Sequence, residues 1–487
     1  MKKLYLIFSM AVSLSALATT PDSVHLSRSQ TLAYTQAVNN YFMATYPDVT
    51  ANSHVGGKER NSRIWTRGVY YEGLMAFYRQ YPTPQCLTYA TTWGNFHNWI
   101  TTSGSGQARH ADYQCCGQAY LDMYLLDTTQ TVRKTHIKSI INAMLTTNQI
   151  DDWYWIDAIQ MAMPIFAQLG SIEKDNRYFE RMYQMYMHTR NQHGGSRKSG
   201  GLPLFNETDG LWYRDYQFDP PYYDLTESNK PCYWSRGNGW VYEALARVLY
   251  YSPDTVSHRA QYVADFRKMS EALRRCQRTD GFWNVSLAAP TNTGNAASPG
   301  PETSGTALFV AGMAYGISVG ILDSAVYLPC VIRAWNALCQ TAVQANGFLG
   351  YVQGSGSKPE DGQPVQATST PDFEDFGVGC FLLAAAEMYK LGDIDLSVTK
   401  IDKTQSTGEL FDIRINNKNL IIKQKQTGNK AVNVIIYNMN GAVVAKKHFN
   451  SNKTGLNSFN MSVENLAGCY LCKLTSGGSS QVRKIII

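Results

Sequence analysis

Charge is scarce in this chain, and so are the usual ligands of metals and nucleotides. Of 487 residues, 17% are Asp, Glu, Lys or Arg and nine are histidine. There is no HExxH, Cys/His cluster or EF-hand loop, so neither a metal nor any other cofactor is expected. No Walker or dinucleotide fingerprint follows a strand, and "RGNGW" is too short and helix-embedded to count as one. No serine occupies a G-x-S-x-G elbow, which removes the α/β-hydrolase nucleophile. Beyond the first segment no apolar run approaches the ~20 residues that span a bilayer.

A basic excess is also missing where it would matter. Residues 395–487 carry 13 Lys/Arg against 5 Asp/Glu, and with Lys2 and Lys3 set aside residues 19–394 are left at −4. Such a main domain has no positive face for a polyanion, so nucleic acid is not an expected partner. The opening "MKKLYLIFSMAVSLSALA" has two lysines, an apolar run from Leu4 to Leu14 and a small-residue site, Ala16-Leu17-Ala18. It reads as a signal peptide, residues 1–18, and implies export. Ten cysteines in an exported chain could include disulfides, whose pairing sequence does not reveal.

What the chain does have is repetition. Six segments share a polar or aromatic head followed by a small-residue and apolar helical run, among them "TRGVYYEGLMAFYRQYP", "WIDAIQMAMPIFAQLG", "WSRGNGWVYEALARVLYYSP" and "DFGVGCFLLAAAEMYKLG". Each follows a more polar, amphipathic stretch such as "NRYFERMYQMYMHTRNQ". Twelve helices alternating between half-wet and buried predict an all-α domain, an (α/α)6 barrel over residues 19–392. In that fold all six heads lie at one end and converge on one pocket. Three long Gly- and Pro-containing connections enter these heads and should build the pocket rim. From residue 393 a linker leads into short alternating stretches such as "VNVIIYNMNGAVVAKKHF", which predict a small C-terminal β-sandwich to residue 487.

The chemistry should lie at the heads. In "DDWYWIDAIQMAMP", Asp151 and Asp152 precede the periodic run, where a carboxylate caps free N–H groups. Asp157 lies within the helix, with Trp153 and Tyr154 one turn before it and Gln160 and Met161 one turn after. Desolvation on that face raises a carboxyl toward the range of a proton donor; the alternative is an Asp tied into a buried hydrogen-bond network. Asp112 in "HADYQCCGQ" supplies a second carboxylate at the same barrel end. Arg236 in "WSRGNGW", between Trp234 and Trp240, offers a fork for a carboxylate ligand beside indoles that suit a sugar face. Glu302 in "ETSGT" reads as a helix cap. Tyrosines and tryptophans number 31 and 10, and aromatics beside flexible loops are also what carbohydrate sites use.

Taken together, "DDWYWIDAIQMAMPIFAQLG", "LWYRD", "YWSRGNGWVYEALARVL" and "ETSGTALFVAGMAYGI" resemble glycoside hydrolase family 105, the unsaturated rhamnogalacturonyl hydrolases, through roughly residues 30–392. That resemblance implies an (α/α)6 barrel that removes a Δ4,5-unsaturated uronic acid from the non-reducing end of lyase-generated oligosaccharides, such as unsaturated galacturonyl-rhamnose from pectin. It places the family's general acid on Asp157, its second carboxylate on Asp112, its uronate-contacting arginine on Arg236 and its stacking tryptophan on Trp240. The implied reaction protonates C4 of the enol-ether double bond and adds water at C5. Two positions depart from the family's pattern: Thr146 and Arg214 stand where well-known members carry histidines that contact substrate. The substrate-binding set expected is Arg236, Trp240, Trp234, Arg214, Tyr154 and Gln160. The tail, with "VIIYNMNGAVV", "LAGCYLCKL" and "VRKIII", resembles a type IX secretion sorting domain, which implies the type IX machinery as a partner and a cell-surface or extracellular location, with the periplasm open; a carbohydrate-binding module is the alternative. A monomer is expected. The rival readings are a conventional inverting glycosidase with Asp112 as base, a lyase, and an inactive sugar-binding protein on the same barrel.

Overall fold

Local sequence starts several of the helices. Ser27 and Gln30 form a capping box ahead of α1 (Arg28–Thr45), Thr83 caps and Pro84 opens α3 (Pro84–Phe96), Asp175 caps α8 (Asn176–Asn191), and Asp323 caps α12 (Ser324–Ala337). The other helices are α2 (Trp65–Gln80), the single turn α4 (Ala111–Gln114), α5 (Cys116–Leu126), α6 (Val132–Leu145), α7 (Asp157–Glu173), α9 (Ser235–Tyr251), α10 (Arg259–Arg275), α11 (Thr303–Ser318) and α13 (Asp375–Leu391). This computed structural model describes residues 25–55, 57–192, 203–218, 230–294, 296–369 and 374–392, and in the tail 411–416, 419–426, 431–438, 443–450, 455–463, 469–476 and 479–486. The signal segment 1–18 lies outside the described residues.

Six helices close a ring in the order α2, α5, α7, α9, α11, α13 and back to α2, each packed on the next. They are the apolar runs of the repeat. Along α11, for instance, every residue from Thr303 to Ile317 is buried. The ring and its outer layer make the (α/α)6 barrel expected from the alternation. The pairing within it differs from a simple outer-then-inner reading, because each outer helix packs on the inner helix that precedes it: α3 on α2, α6 on α5, α8 on α7, α10 on α9 and α12 on α11. The first outer helix, α1, covers α13, so the beginning and end of the barrel close its sixth wall. Helices α2 and α13 cross closely: a Cβ on Gly73 would stand 2.3 Å from the Gly379 carbonyl oxygen.

Three small hairpins decorate the barrel: β1 (Ser53–Val55) with β2 (Lys58–Arg60), β3 (Phe205–Asn206) with β4 (Leu211–Trp212), and β5 (Trp283–Asn284) with β6 (Pro301–Glu302). The tail forms two antiparallel sheets from β7 (Phe411–Asn416), β8 (Asn419–Gln426), β9 (Val432–Asn438), β10 (Val443–Phe449), β11 (Gly455–Ser462), β12 (Cys469–Ser476) and β13 (Ser479–Ile486). Their orders are β10-β9-β12-β13 and β11-β8-β7. Alternating Val432, Val434 and Ile436 meet Leu420, Ile422, Cys472 and Leu474 in a core separate from the barrel's. Cys86, Cys115, Cys116, Cys232, Cys276, Cys330, Cys339, Cys380 and Cys472 are free thiols. No helix among the described residues is long and apolar enough to cross a membrane.

Candidate active site

The head of α7 is held from outside its own helix. Residues 151–156 are not helical; Trp155 bridges to Asp215, and the Ile156 N–H donates to the Arg214 carbonyl at 2.9 Å. Helix α7 therefore starts at Asp157, and Asp151 and Asp152 are not its caps. Asp152 instead accepts from Arg109 Nε at 2.8 Å and Nη2 at 2.5 Å, tying the approach to α4 against the head of α7. The same extended contact delivers Arg214 to Asp157.

Asp157 is 6% exposed, and its Oδ2 accepts from Arg214 Nε at 3.1 Å. Burial pushes its carboxyl above the ordinary range, while Arg214 and, at longer reach, Arg236 oppose the rise. Asp112 sits on the single turn α4, and its carboxyl is also pushed up, first by burial and then by the charge of Asp157, against the pull of His110. The two carboxylates thus feel each other across one space, an arrangement in which one holds a proton more readily than the other. His110 caps α4, its Nδ1 accepting the Asp112 N–H at 3.3 Å, and its ring stands 5.0 Å from that of Trp155.

Between these groups lies a cavity of about 310 Å³. Asp157, Asp112, Arg214, His110 and Met161 form its floor and sides, Trp65, Tyr154, Trp155 and Trp234 its aromatic walls, and Ser355 with Gly356 its lip. Arg214 is the one arginine or lysine among these lining residues. Of the residues expected from sequence, the structure thus brings Asp157, Asp112, Arg214, Tyr154 and Trp234 together here.

Arg236, Trp240 and Gln160 lie behind the cavity. Arg236 is 1% exposed and donates to the Gln353 carbonyl at 2.9 Å, the Gly354 carbonyl at 2.7 Å and Ser304 Oγ at 3.3 Å, stacked over Trp234 and Phe376. Its fork is occupied by the loop that carries Ser355 and Gly356. Gln353 completes that lock: its Oε1 accepts from Trp234 Nε1 at 2.8 Å, and its amide donates to the carbonyls of Lys358, Pro359 and Asp361. Trp240 packs edge-on behind Trp65. Gln160 is fully buried and donates to Glu72 at 2.8 Å. Glu302 caps α11 through the N–H groups of Ser304 and Gly305. Thr146 ends α6, exposed, with its hydroxyl on the Ala143 carbonyl.

Four contributors to the cavity were not singled out by sequence reasoning: His110, Trp65, Trp155 and the Ser355–Gly356 lip. His110 and Trp155 each lie within a stretch already marked, Trp65 adjoins one, and the lip belongs to a loop expected at the rim. Gln353, which holds that lip, has no local signal. Among the described residues no group of three His, Cys, Asp or Glu side chains is arranged to hold a metal ion.

Comparison with known proteins gives two matched regions. Residues 34–392 match Glycosyl Hydrolase Family 88, and residues 416–487 match a secretion system C-terminal sorting domain. An unsaturated 3S-rhamnoglycuronyl hydrolase of Formosa agariphila is 31% identical over 349 residues, 67% of this chain and 84% of that protein. A solved family 88 glycosyl hydrolase from Bacteroides vulgatus is 30% identical with a TM-score of 0.66, covering 75% of this chain and all of the other. A solved chain named as a polysaccharide lyase is 31% identical with a TM-score of 0.64, covering 74% and 97%.

Proposed function

The chain belongs to glycosyl hydrolase family 88, and from that premise we propose that it removes a Δ4,5-unsaturated uronic acid from the non-reducing end of lyase-generated oligosaccharides, with a rhamnose as the neighbouring sugar. It is a glycoside hydrolase, and its C-terminal sorting domain directs export by the type IX route to the cell surface or beyond. The observation that carries the proposal is the pairing of buried Asp157 with Asp112 across a cavity walled by indoles, with a single guanidinium, Arg214, for an acidic ring. The rhamnose follows from the name of the Formosa relative.

In this reading the protonated Asp157 delivers its proton to C4 of the double bond. Water bonds to C5 and passes a proton to the Asp112 carboxylate. The hemiketal formed at C5 opens to a ketone, leaving a hemiacetal at C1 that releases the aglycone. The ring carboxylate pairs with Arg214, and Trp234 and Tyr154 flank the sugar. Arg236 acts from behind, by fixing the loop whose lip closes the cavity. This chemistry differs from ordinary two-carboxylate glycosidases in attacking the double bond rather than the glycosidic oxygen.

The test follows the ultraviolet absorbance of the conjugated double bond in a panel of unsaturated disaccharides. Loss of absorbance, absent in Asp157→Asn, is the expected result. A rise on intact polysaccharide would identify a lyase, and reducing sugar released only from saturated substrates would identify a conventional glycosidase.

A further inference from the structure

Arg214 is shared between two enclosed carboxylates and faces a space where a third can enter. Its Nε donates to Asp157 at 3.1 Å and its Nη1 to Asp215 at 2.6 Å. Asp157 is fixed as the first residue of α7; Asp215 is fixed by the Gln217 N–H at 2.8 Å and by its bridge to Trp155. The arginine side chain is 23% exposed against 8% and 7% for its two partners, and Nη2 makes no hydrogen bond among the described residues. The guanidinium is therefore the adjustable member of the three.

The other charged groups around Asp157 leave it no substitute. Arg236, from α9, is enclosed and spent on the carbonyls of residues 353 and 354. His110 and Arg60 act on Asp112, from the approach to α4 and from β2. Asp112 itself is a like charge.

Resting on the reading of this site as an unsaturated uronyl hydrolase, we propose that the substrate's carboxylate takes Arg214 over from Asp157, so that Asp157 gains its proton only when an acidic sugar is bound. The exchange balances. One carboxylate and one proton, the latter from solvent, enter together; the guanidinium keeps Asp215 and turns its free edge to the ligand, forming a two-point pair. Without its cation the enclosed Asp157 carboxylate is disfavoured, and the neutral acid is the form that can protonate C4. A neutral sugar cannot trigger the exchange, which makes Arg214 the residue that couples recognition of the acid to catalysis.

Two measurements test this. Turnover needs protonated Asp157, so both kcat and kcat/KM fall as pH rises. The limb for kcat, which reports the complex, should lie about one pH unit or more above that for kcat/KM, which reports the free enzyme. Arg214→Gln should move the kcat/KM limb up to meet it and raise KM, and Arg214→Lys should leave a smaller gap. Coincident limbs in the wild type, or a gap that survives Arg214→Gln, overturn the exchange while leaving the hydrolase reading intact. The second measurement needs no turnover: titrate the full chain with glucuronate by calorimetry in buffers of different ionisation enthalpy, above the pH of the kcat/KM limb or, if turnover is absent, near pH 8. About one proton should be taken up per site in the wild type and none in Asp157→Asn. Glucuronate that does not bind, or binds without proton uptake, overturns the proposal whether or not any substrate is turned over.

Discussion

Where the inner helices begin, Asp157 shares one part-exposed arginine with Asp215 beside a cavity of about 310 Å³. Toward the end where they finish, Asp122 takes Arg79 at 2.9 Å, Arg247 at 3.4 Å and the Tyr251 hydroxyl, next to a cavity of about 40 Å³. The side-chain types are the same, and the balance between them differs. Burial pushes Asp122 up as it does Asp157, but Arg79 and Arg247 together hold it below the ordinary range. Arg247 also reaches Glu72 at 3.0 Å and Glu243 at 3.9 Å, and Glu72, Asp122, Glu243 and Arg247 are almost fully enclosed. A carboxylate bound by two arginines with no room for a ligand is fixed in its charge state and holds the barrel together. One that shares a single arginine facing a cavity can change state, which is what acid catalysis needs.

The sharpest way to separate the two ends is to remove one charge from each. At the open end, Asp157→Asn should lower kcat by about 10²–10⁴-fold, the usual range for a lost general acid. It should leave the unfolding midpoint nearly unchanged, since Asn keeps the shape and Arg214 keeps Asp215. At the closed end, Arg247→Ala should do the reverse. It takes from Glu72 and Glu243 their shared cation and leaves Asp122 with Arg79 alone, a loss of about 3–5 kcal/mol for a broken buried pair, while the folded fraction retains its kcat. Guanidinium unfolding read by indole fluorescence checks the stability half, because all ten tryptophans lie between residues 65 and 335, within the barrel. An inactive but fully stable Arg247→Ala would show that the closed end also takes part in catalysis.

Sequence made the barrel legible because its repeat is local: the alternation of amphipathic and apolar runs reports which helices are outer and which inner. Asp157 and Asp112 were legible for the same reason, each lying in a head. The residues that were misplaced depend on contacts across long stretches of chain. Asp151 and Asp152 read as caps, yet the helix begins later, because residues 155 and 156 pair with 214 and 215. Arg236 reads as an open fork, and its fork is filled by a loop 117 residues downstream. No pattern around Arg236 announces Gln353, since the partnership exists only once the ring has closed. Arg214 entered as a departure from a family's histidine; only the geometry shows it bridging the acid and Asp215.

The finest test of the contrast is a pH dependence at the closed end. Glu72 is fully buried, and burial raises its carboxyl to about 7, with Arg247 and the Gln160 amide opposing and the charge of Asp122 adding to the rise. Folded protein therefore binds a proton at Glu72 over a pH range, about 4.5 to 7, in which the unfolded chain has released it. The unfolded state then carries fewer protons than the native one, so this group's contribution to stability falls as pH rises through that window and levels off above it. The substitution Glu72→Gln mimics the protonated form at every pH. The stability of that variant relative to wild type should accordingly increase between pH 4 and pH 8, by about 3 kcal/mol. The difference between the two chains cancels the titration of all other groups that the substitution leaves alone. A flat difference would mean that Arg247 keeps Glu72 ionised throughout, making Glu72 as fixed as Asp122. A rising one would show that the closed end also holds a proton near neutrality, but with no ligand able to call on it.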